Sequence, residues 1–180
     1  MAIFIDGGYM NSLLSKNFSG AHIDYAKFAQ WISYDFRLLR AYFYDCDPYM
    51  SSPPTDEETK RFKRKQSFFS KILRIPCFEV KKGRVVDRGR DNYGNVIAIQ
   101  KQIDVLLAVD LLKLSWKRII ACAAIVTGDS DFVPAIQAAK EEGVCIRLVH
   151  GPDGTYHRNL WEVADERLEI KRALIEQIRL

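Results

Sequence analysis

Residues 119–150 read IIACAAIVTGDSDFVPAIQAAKEEGVCIRLVH. The apolar run over 119–126 is nearly unbroken, as expected of a strand buried on both faces. It ends in two aspartates one residue apart, Asp129 and Asp131. From Ser130 to Glu142 the spacing turns helical, Gly143 supplies a stop, and 144–149 is again a continuous apolar run. Strand, helix and strand in this length is the unit from which parallel sheets are assembled.

Outward from this unit the alternation continues. Residues 2–5 predict a short buried strand, followed by Gly7-Gly8 and a helix to about Asn17. Asp24 is placed to cap a helix running to about Tyr34, with Tyr25, Phe28, Ala29 and Ile32 on its apolar face. Residues 38–44 predict a strand, and Pro53-Pro54-Thr55 opens a helix over 56–73 with Thr55 as N-cap and Phe62, Phe69 and Leu73 on one face. Residues 77–81 and 84–87 predict a hairpin turning at Lys82-Gly83, and RGRDNYGN (88–95) a loop. A helix is expected over 99–114, apolar almost all round and therefore sandwiched between layers. The tail, 157–180, predicts one or two helices. The whole pattern is α/β: a mostly parallel sheet with helices on both faces. Without repeats, low-complexity tracts or a linker, residues 1–180 read as one domain with the C-terminal helices packed on it.

A chain of 180 residues can bury roughly 70% of its unfolded surface. Its net charge of +4 permits a polyanionic partner without requiring one. Cys46, Cys77, Cys122 and Cys145 lie far apart in apolar segments, with no Cys/His ligand spacing. That predicts reduced core thiols and a cytoplasmic setting, and argues against structural zinc. MAIFIDGGYM lacks a basic leader and meets an acid at Asp6, unlike a signal peptide. No apolar run approaches the ~20 residues of a membrane span.

In an open parallel sheet, ligands bind beyond the carboxyl ends of the strands. Asp6 ends the first strand, Asp45 and Asp47 the second, and Asp129 and Asp131 follow the strand read first. Asp104, near the start of the central helix, belongs to the same edge. Each acid has an ordinary alternative: Asp129 and Asp131 as helix caps, Asp6 as a turn former before Gly-Gly. Within IDVLLAVDLL, however, Asp104 has no cap to make, and a buried carboxylate there needs a cation. Lys101 is one candidate partner and a divalent metal the other.

IFIDGGYMN, KQIDVLLAVDLL and IVTGDSDFVPAI, in this order and spacing, resemble the NYN family, in particular its LabA-like branch within the PIN-like nuclease superfamily. The resemblance runs from about residue 2 to 165. It implies a three-layer α/β/α sandwich and a metal-dependent ribonuclease site that uses Mg²⁺ or Mn²⁺. Carried over by position, its acids are Asp6, Asp104, Asp129 and Asp131, the set that the strand ends had singled out. It further implies hydrolysis of RNA to a 5′-phosphate and a 3′-hydroxyl. Asp110, six residues beyond Asp104, falls about 240° around the helix and off that face. Two segments depart from the family pattern: Gly8-Tyr9-Met10 separate Asp6 from the first asparagine, Asn11, and HRNLWEVAD carries His157 and Asn159 where a serine is common.

Grip on single-stranded or structured RNA must come from cations. KRFKRK supplies Lys60, Arg61, Lys63 and Arg64. KKGR supplies Lys81, Lys82 and Arg84, with Arg88 and Arg90 near Tyr93, and Lys101 adds to them. The plain alternative for KRFKRK is the solvated face of an amphipathic helix. His150 and His157 are weaker candidates for phosphate contact. Against the ribonuclease stands a non-catalytic RNA-binding or regulatory module of the same fold; converging acids favour the enzyme, because a pure binder of polyanions gains nothing from them. A haloacid-dehalogenase-type phosphatase needs D-x-D after the first strand, where this chain has DGG. Homodimer formation is left open.

Overall fold

In β1 (Ala2–Asp6) every residue before the terminal aspartate is buried, because successive side chains enter opposite layers of the core. Ile3 and Ile5 point into one layer, Ala2 and Phe4 into the other. The protein, described here from a computed structural model, is defined over residues 1–90 and 96–180. Its elements follow as α1 (Gly7–Asn17), α2 (Tyr25–Ile32), β2 (Arg40–Asp45), α3 (Asp56–Leu73), β3 (Phe78–Lys82), β4 (Arg84–Arg90), β5 (Val96–Lys101), α4 (Ile103–Trp116), β6 (Cys122–Val126), α5 (Val133–Glu141), β7 (Cys145–His150), α6 (Arg158–Val163), β8 (Glu166–Glu169) and α7 (Arg172–Ile178).

Six strands form a parallel sheet in the order β3-β2-β1-β6-β7-β8. Buried side chains of α1, α2, α3 and α7 cover the face of Ile3 and Ile5; those of α4, α5 and α6 cover the face of Ala2 and Phe4. The fold is thus a three-layer α/β/α sandwich. From β1 the chain lays strands down in one direction through β2 and β3, then in the other through β6, β7 and β8. The boundary between β1 and β6 is the topological switch point, where such sheets open a crevice at their carboxyl edge.

Local chemistry sets the helix starts. Asp24 caps α2 by accepting from the N–H groups of Ala26 and Lys27. Thr55 and Glu58 form a reciprocal capping box at the start of α3. Glu58 also accepts from the Ser51 hydroxyl at 2.6 Å. That bond, with the Thr55 N–H, draws the Glu58 carboxyl down to about 2. The charged form is favoured by the fold, so this stabilisation is present above the ordinary value of 4.5 and lost as pH falls towards 2. Glu58→Gln is expected to flatten that part of the acid-unfolding curve, and Thr55→Ala to cost about 1 kcal/mol at neutral pH; thermal melts across this pH range check both.

Several expectations are corrected. The segments 77–81 and 84–87 do not pair with each other: β3 joins the main sheet parallel to β2, and β4 pairs antiparallel with β5 as a separate two-stranded arm. The chain leaves the sheet at Gly83, where a Cβ would lie 2.6 Å from the Lys101 carbonyl oxygen. Arg88 and Arg90 belong to β4 rather than to a loop, and residues 91–95, with Tyr93, lie outside the described residues. The helix begins at Ile103, not 99. Residues 96–101 are β5, and Gln102, with a φ of 74°, breaks the backbone between strand and helix.

Nor is that helix sandwiched. Ile103, Leu107, Leu111 and Ser115 are buried, whereas Val105, Val109 and Trp116 are exposed, so one face meets the sheet and the other meets solvent. On α3 the buried pair is Phe69 and Ile72, with Leu73 on the surface. The tail contains a strand, β8, between its two helices. All four cysteines are free; Cys46 and Cys122 are buried, but Cys77 is exposed. Among the described residues no helix is long and apolar enough to cross a membrane.

Candidate functional site

Ile5 pairs with Val126 across the switch point, which sets Asp6 level with Thr127. The Thr127 hydroxyl donates to Asp6 Oδ2 at 3.2 Å and accepts the Asp129 N–H at 3.3 Å. Asp6 Oδ1 accepts the Tyr9 N–H at 3.1 Å, capping α1. Asp129 Oδ1 in turn accepts the Asp131 N–H at 3.0 Å, capping the 3-10 turn Ser130–Phe132 that leads into α5. The capping alternative is therefore real for both residues, but it occupies one oxygen of each.

Asp104 comes from the first turn of α4, where the helix dipole favours an acid. Here the sequence reasoning is corrected. Asp104 is exposed at the surface rather than enclosed in the apolar run, and Lys101 does not pair with it among the described residues. Its electrostatics nevertheless join the four acids. Partial desolvation pushes the Asp104 carboxyl above the usual carboxylate range, and the charges of Asp129 and Asp131 push it further. Burial likewise raises Asp6, against the pull of its hydrogen bonds from Tyr9 and Thr127, and the charge of Asp104 adds to the rise. Among the described residues, none of the four acids is in an ion pair. No group of three or more His, Cys, Asp and Glu side chains among those residues is gathered closely enough to hold a metal ion.

The two acids at the end of β2, and Asp110 further along α4, are neutralised. Asp45 is buried against Lys65, and Asp47 meets Lys82 at 3.1 Å. Asp110 accepts from the Tyr44 hydroxyl at 3.0 Å and faces Lys81 at 3.8 Å. The four unpaired acids thus stand apart from a rim of paired ones.

A cleft of about 580 Å³ opens over Asp6 and Asp129, walled by Tyr9, Thr155, Tyr156 and His157. Gly128 lets its far wall approach: a Cβ there would lie 2.3 Å from the Thr155 carbonyl oxygen and 2.7 Å from the Tyr9 ring. The His157 N–H donates to the Gly128 carbonyl at 3.0 Å and fixes the loop after β7 over the acids. His157 thus lines the cleft, whereas His150 is buried, its Nδ1 at 2.7 Å from the Gly151 carbonyl. Tyr9, Thr127, Thr155 and Tyr156 were not singled out from the sequence. For Thr127 a signal existed, as a hydroxyl between a buried strand and an acid; the others depend on a contact between distant segments.

Of the basic candidates, Lys60, Arg61, Lys63 and Arg64 are exposed on α3, and the Arg61 guanidinium donates to the Tyr49 carbonyl at 3.1 Å. Lys81 and Lys82 are engaged with Asp110 and Asp47 and lie over the rings of Tyr42 and Phe69. Arg84 and Lys101 face each other across the β4–β5 ladder, both exposed.

Comparison with known proteins agrees with this architecture. A protein of unknown function from Vibrio parahaemolyticus, VPA0982, superposes with a TM-score of 0.65 over 99% of this chain and 96% of that one, at 19% identity. At that identity the likeness is one of fold. A search of curated proteins gives no significant match. The profile of the NYN domain matches residues 1–170, which takes in every strand of the sheet and all four unpaired acids. The chain belongs to the NYN domain family, within the PIN-like nuclease superfamily.

Proposed function

We propose that the protein is a metal-dependent ribonuclease that hydrolyses RNA phosphodiester bonds at Asp6, Asp104, Asp129 and Asp131. The observation that supports this reading is the electrostatic coupling of Asp104 to Asp6 on one side and to Asp129 and Asp131 on the other, with none of the four in an ion pair among the described residues. Like charges left this way raise one another's proton affinity, which a bound cation would reverse. The donor set suits Mg²⁺ or Mn²⁺ in chemistry, being all hard oxygen. Among the described residues no three such side chains are gathered as one ligand set, and Mg²⁺ usually keeps several waters in its protein sites. Asp6 and Asp129 are the first choices for direct contact, each with an oxygen beyond its capping bond; Asp104 and Asp131 act through water.

When bound, such an ion polarises a phosphodiester and lowers the pKa of a water for in-line attack. The chain's own groups do the rest. Thr127 holds the Asp6 carboxylate in place from its Oδ2 side, and the α1 cap holds it from the other. Tyr156 and His157 wall the cleft where a scissile phosphate would enter. Arg61, Arg64, Lys60 and Lys63 of α3, with Lys81, Lys82, Arg84 and Lys101, provide the positive field for the strand.

The test is incubation of the purified chain with labelled RNA in Mn²⁺, in Mg²⁺ and in EDTA. Cleavage is expected with either metal and none in EDTA. Metal at about 100 times its dissociation constant should also stabilise the folded chain by about 2.7 kcal/mol, or roughly 5–10 °C in a protein of this size. Asp6→Asn combined with Asp129→Asn should abolish that shift and leave the metal-free protein at least as stable. The second reading, an RNA-binding module without turnover, draws on the absence of a tight ligand cluster among the described residues. RNA binding without cleavage in either metal would establish it.

A further inference from the structure

Apart from the acidic cleft, a groove of about 860 Å³ opens between α1 and α3. We infer that this groove holds one nucleotide of an RNA strand, its base against Tyr25 and Phe68 and its phosphates on Arg61, Arg64 and Lys71. The inference rests on the ribonuclease reading and adds to it a subsite outside the acidic cleft.

Helical spacing builds the cationic wall. Arg61, Arg64, Lys65, Phe68 and Lys71 follow one another at three- and four-residue steps, which puts them on one face of α3, the face that lines the groove. Lys60 and Lys63 do not line it. Lys65 is consumed by Asp45, which removes the one buried acid of this wall as a source of repulsion. Arg64 and Lys71 are exposed and form no ion pair among the described residues, so they are available to an anion.

The floor is apolar and aromatic, with one polar group left over. Tyr25 is only 6% exposed, stands edge-on to Phe68 at 5.8 Å and lines the groove. Among the described residues its hydroxyl has no hydrogen-bond partner. Since no fully buried side-chain polar atom among the described residues goes unpaired, that hydroxyl keeps some accessible surface, and the groove is the cavity that Tyr25 lines. Burial pushes its pKa up, and it remains a neutral donor and acceptor. An unpaired hydroxyl beside an aromatic ring, under a rim of cations, matches a nucleotide: polar base edge, stacking face, phosphate. A purely apolar ligand would leave both the hydroxyl and the cations unanswered.

The groove lies beside the acidic cleft. Asn11 of α1 lines the groove, and the next residue, Ser12, lines the acidic cleft. Gln100 lines the groove too, and its Oε1 lies 4.0 Å from a Cβ position at Gly8, on the cleft wall. A strand leaving the groove around the start of α1 therefore reaches Asp6.

The test is fluorescence anisotropy of the full chain with a short fluorescein-labelled oligouridylate in EDTA, where binding is read without cleavage. Arg64→Gln with Lys71→Gln should weaken binding at least tenfold and reduce the slope of log affinity against log salt by roughly 1.4, about 0.7 per lost phosphate contact. Tyr25→Phe, checked for an unchanged melting temperature, should weaken it about fivefold, the scale of one hydrogen bond, with the salt slope unaltered. Uridine 5′-monophosphate should displace the oligomer only at far higher concentration. If the monophosphate competes as well as the oligomer, the occupant is a free nucleotide and the strand assignment is overturned. Wild-type affinity in both variants also overturns it. Loss of affinity in the variants of a protein that fails to cleave RNA in Mn²⁺ upholds the subsite and removes the ribonuclease reading instead.

Discussion

Asp6→Asn is expected to cut single-turnover RNA cleavage in Mn²⁺ by at least ~100-fold, the scale on which removal of one electrostatic stabiliser acts. The fold should survive it. Asn is as good an N-cap as Asp, so the bond from the Tyr9 N–H is retained. The asparagine NH2 then takes the place of Oδ2, and the Thr127 hydroxyl, which can accept as well as donate, accepts from it. What disappears is the negative charge, which in the metal-free protein costs energy: burial has already raised the Asp6 carboxyl. A raised carboxyl destabilises progressively as pH climbs past the ordinary value of 3.8. At neutral pH, without metal, the variant should therefore melt no lower than the wild type. Asp104→Asn should lose activity on the same scale. Asp110→Asn is the control on the same helix, because its carboxylate is engaged by Tyr44 and Lys81 on the side away from the site. It should cleave nearly as the wild type and show its effect in stability. Wild-type rates in both Asp6→Asn and Asp104→Asn would remove the four-acid site.

Arg147→Ala should be the most destabilising single change predicted here, at about 3 kcal/mol or more and roughly 6–12 °C. Arg147 sits in β7 and is fully buried, yet it carries a charge. Its guanidinium makes a two-pronged pair with Asp35 at 2.7 and 2.8 Å, donates to Glu166 at 2.6 Å and donates to the Ile32 carbonyl at 2.7 Å. The rings of Tyr34 and Phe36 stand 4.9 and 5.5 Å from it. Asp35 and Glu166 are 36% and 43% exposed, so water recovers them when the arginine is lost. The cost lies in the void and in the bonds that tie α2's end to β7 and β8. Arg147→Met keeps much of the volume and should recover part of that loss. Urea unfolding of both variants separates the packing part from the hydrogen-bonded part, and near-wild-type stability of the alanine variant would show that the network contributes nothing.

That network also marks where reading the chain stops. Within CIRLVH, Arg147 reads as an interruption of a strand, and nothing nearby hints that it is caged. Its partners come from the loop after α2 and from β8, a strand that the tail did not advertise because four residues, ERLE, carry no apolar run. The same limit explains the arm. Residues 96–99 and 103–114 are apolar runs separated only by Gln100-Lys101-Gln102, which suit a helix as well as a strand, and the left-handed backbone at Gln102 is what divides them. Whether 77–82 pairs with 84–90 or with β2 is likewise invisible locally, since both partners are extended; the sheet edge decides it.

What the sequence determined by itself is what short-range chemistry controls. Buried strands showed in continuous apolar runs. The starts of α2 and α3 showed in Asp24 and Thr55, because a cap bonds within three residues. The edge on which Asp6, Asp104, Asp129 and Asp131 gather followed from the strand-end rule for parallel sheets. Tertiary structure decided which of the edge acids stay unpaired. Asp45 and Asp47 stood at the same strand-end edge as the other four in sequence, yet each is met by a lysine from an element farther along the chain. It also decided that Asp104 is exposed, and that Arg61 and Arg64 turn towards a groove floored by Tyr25 while Lys60 and Lys63 turn away. Charge compensation acts through space over a few ångströms, and only the packed layers determine which charges come within that reach.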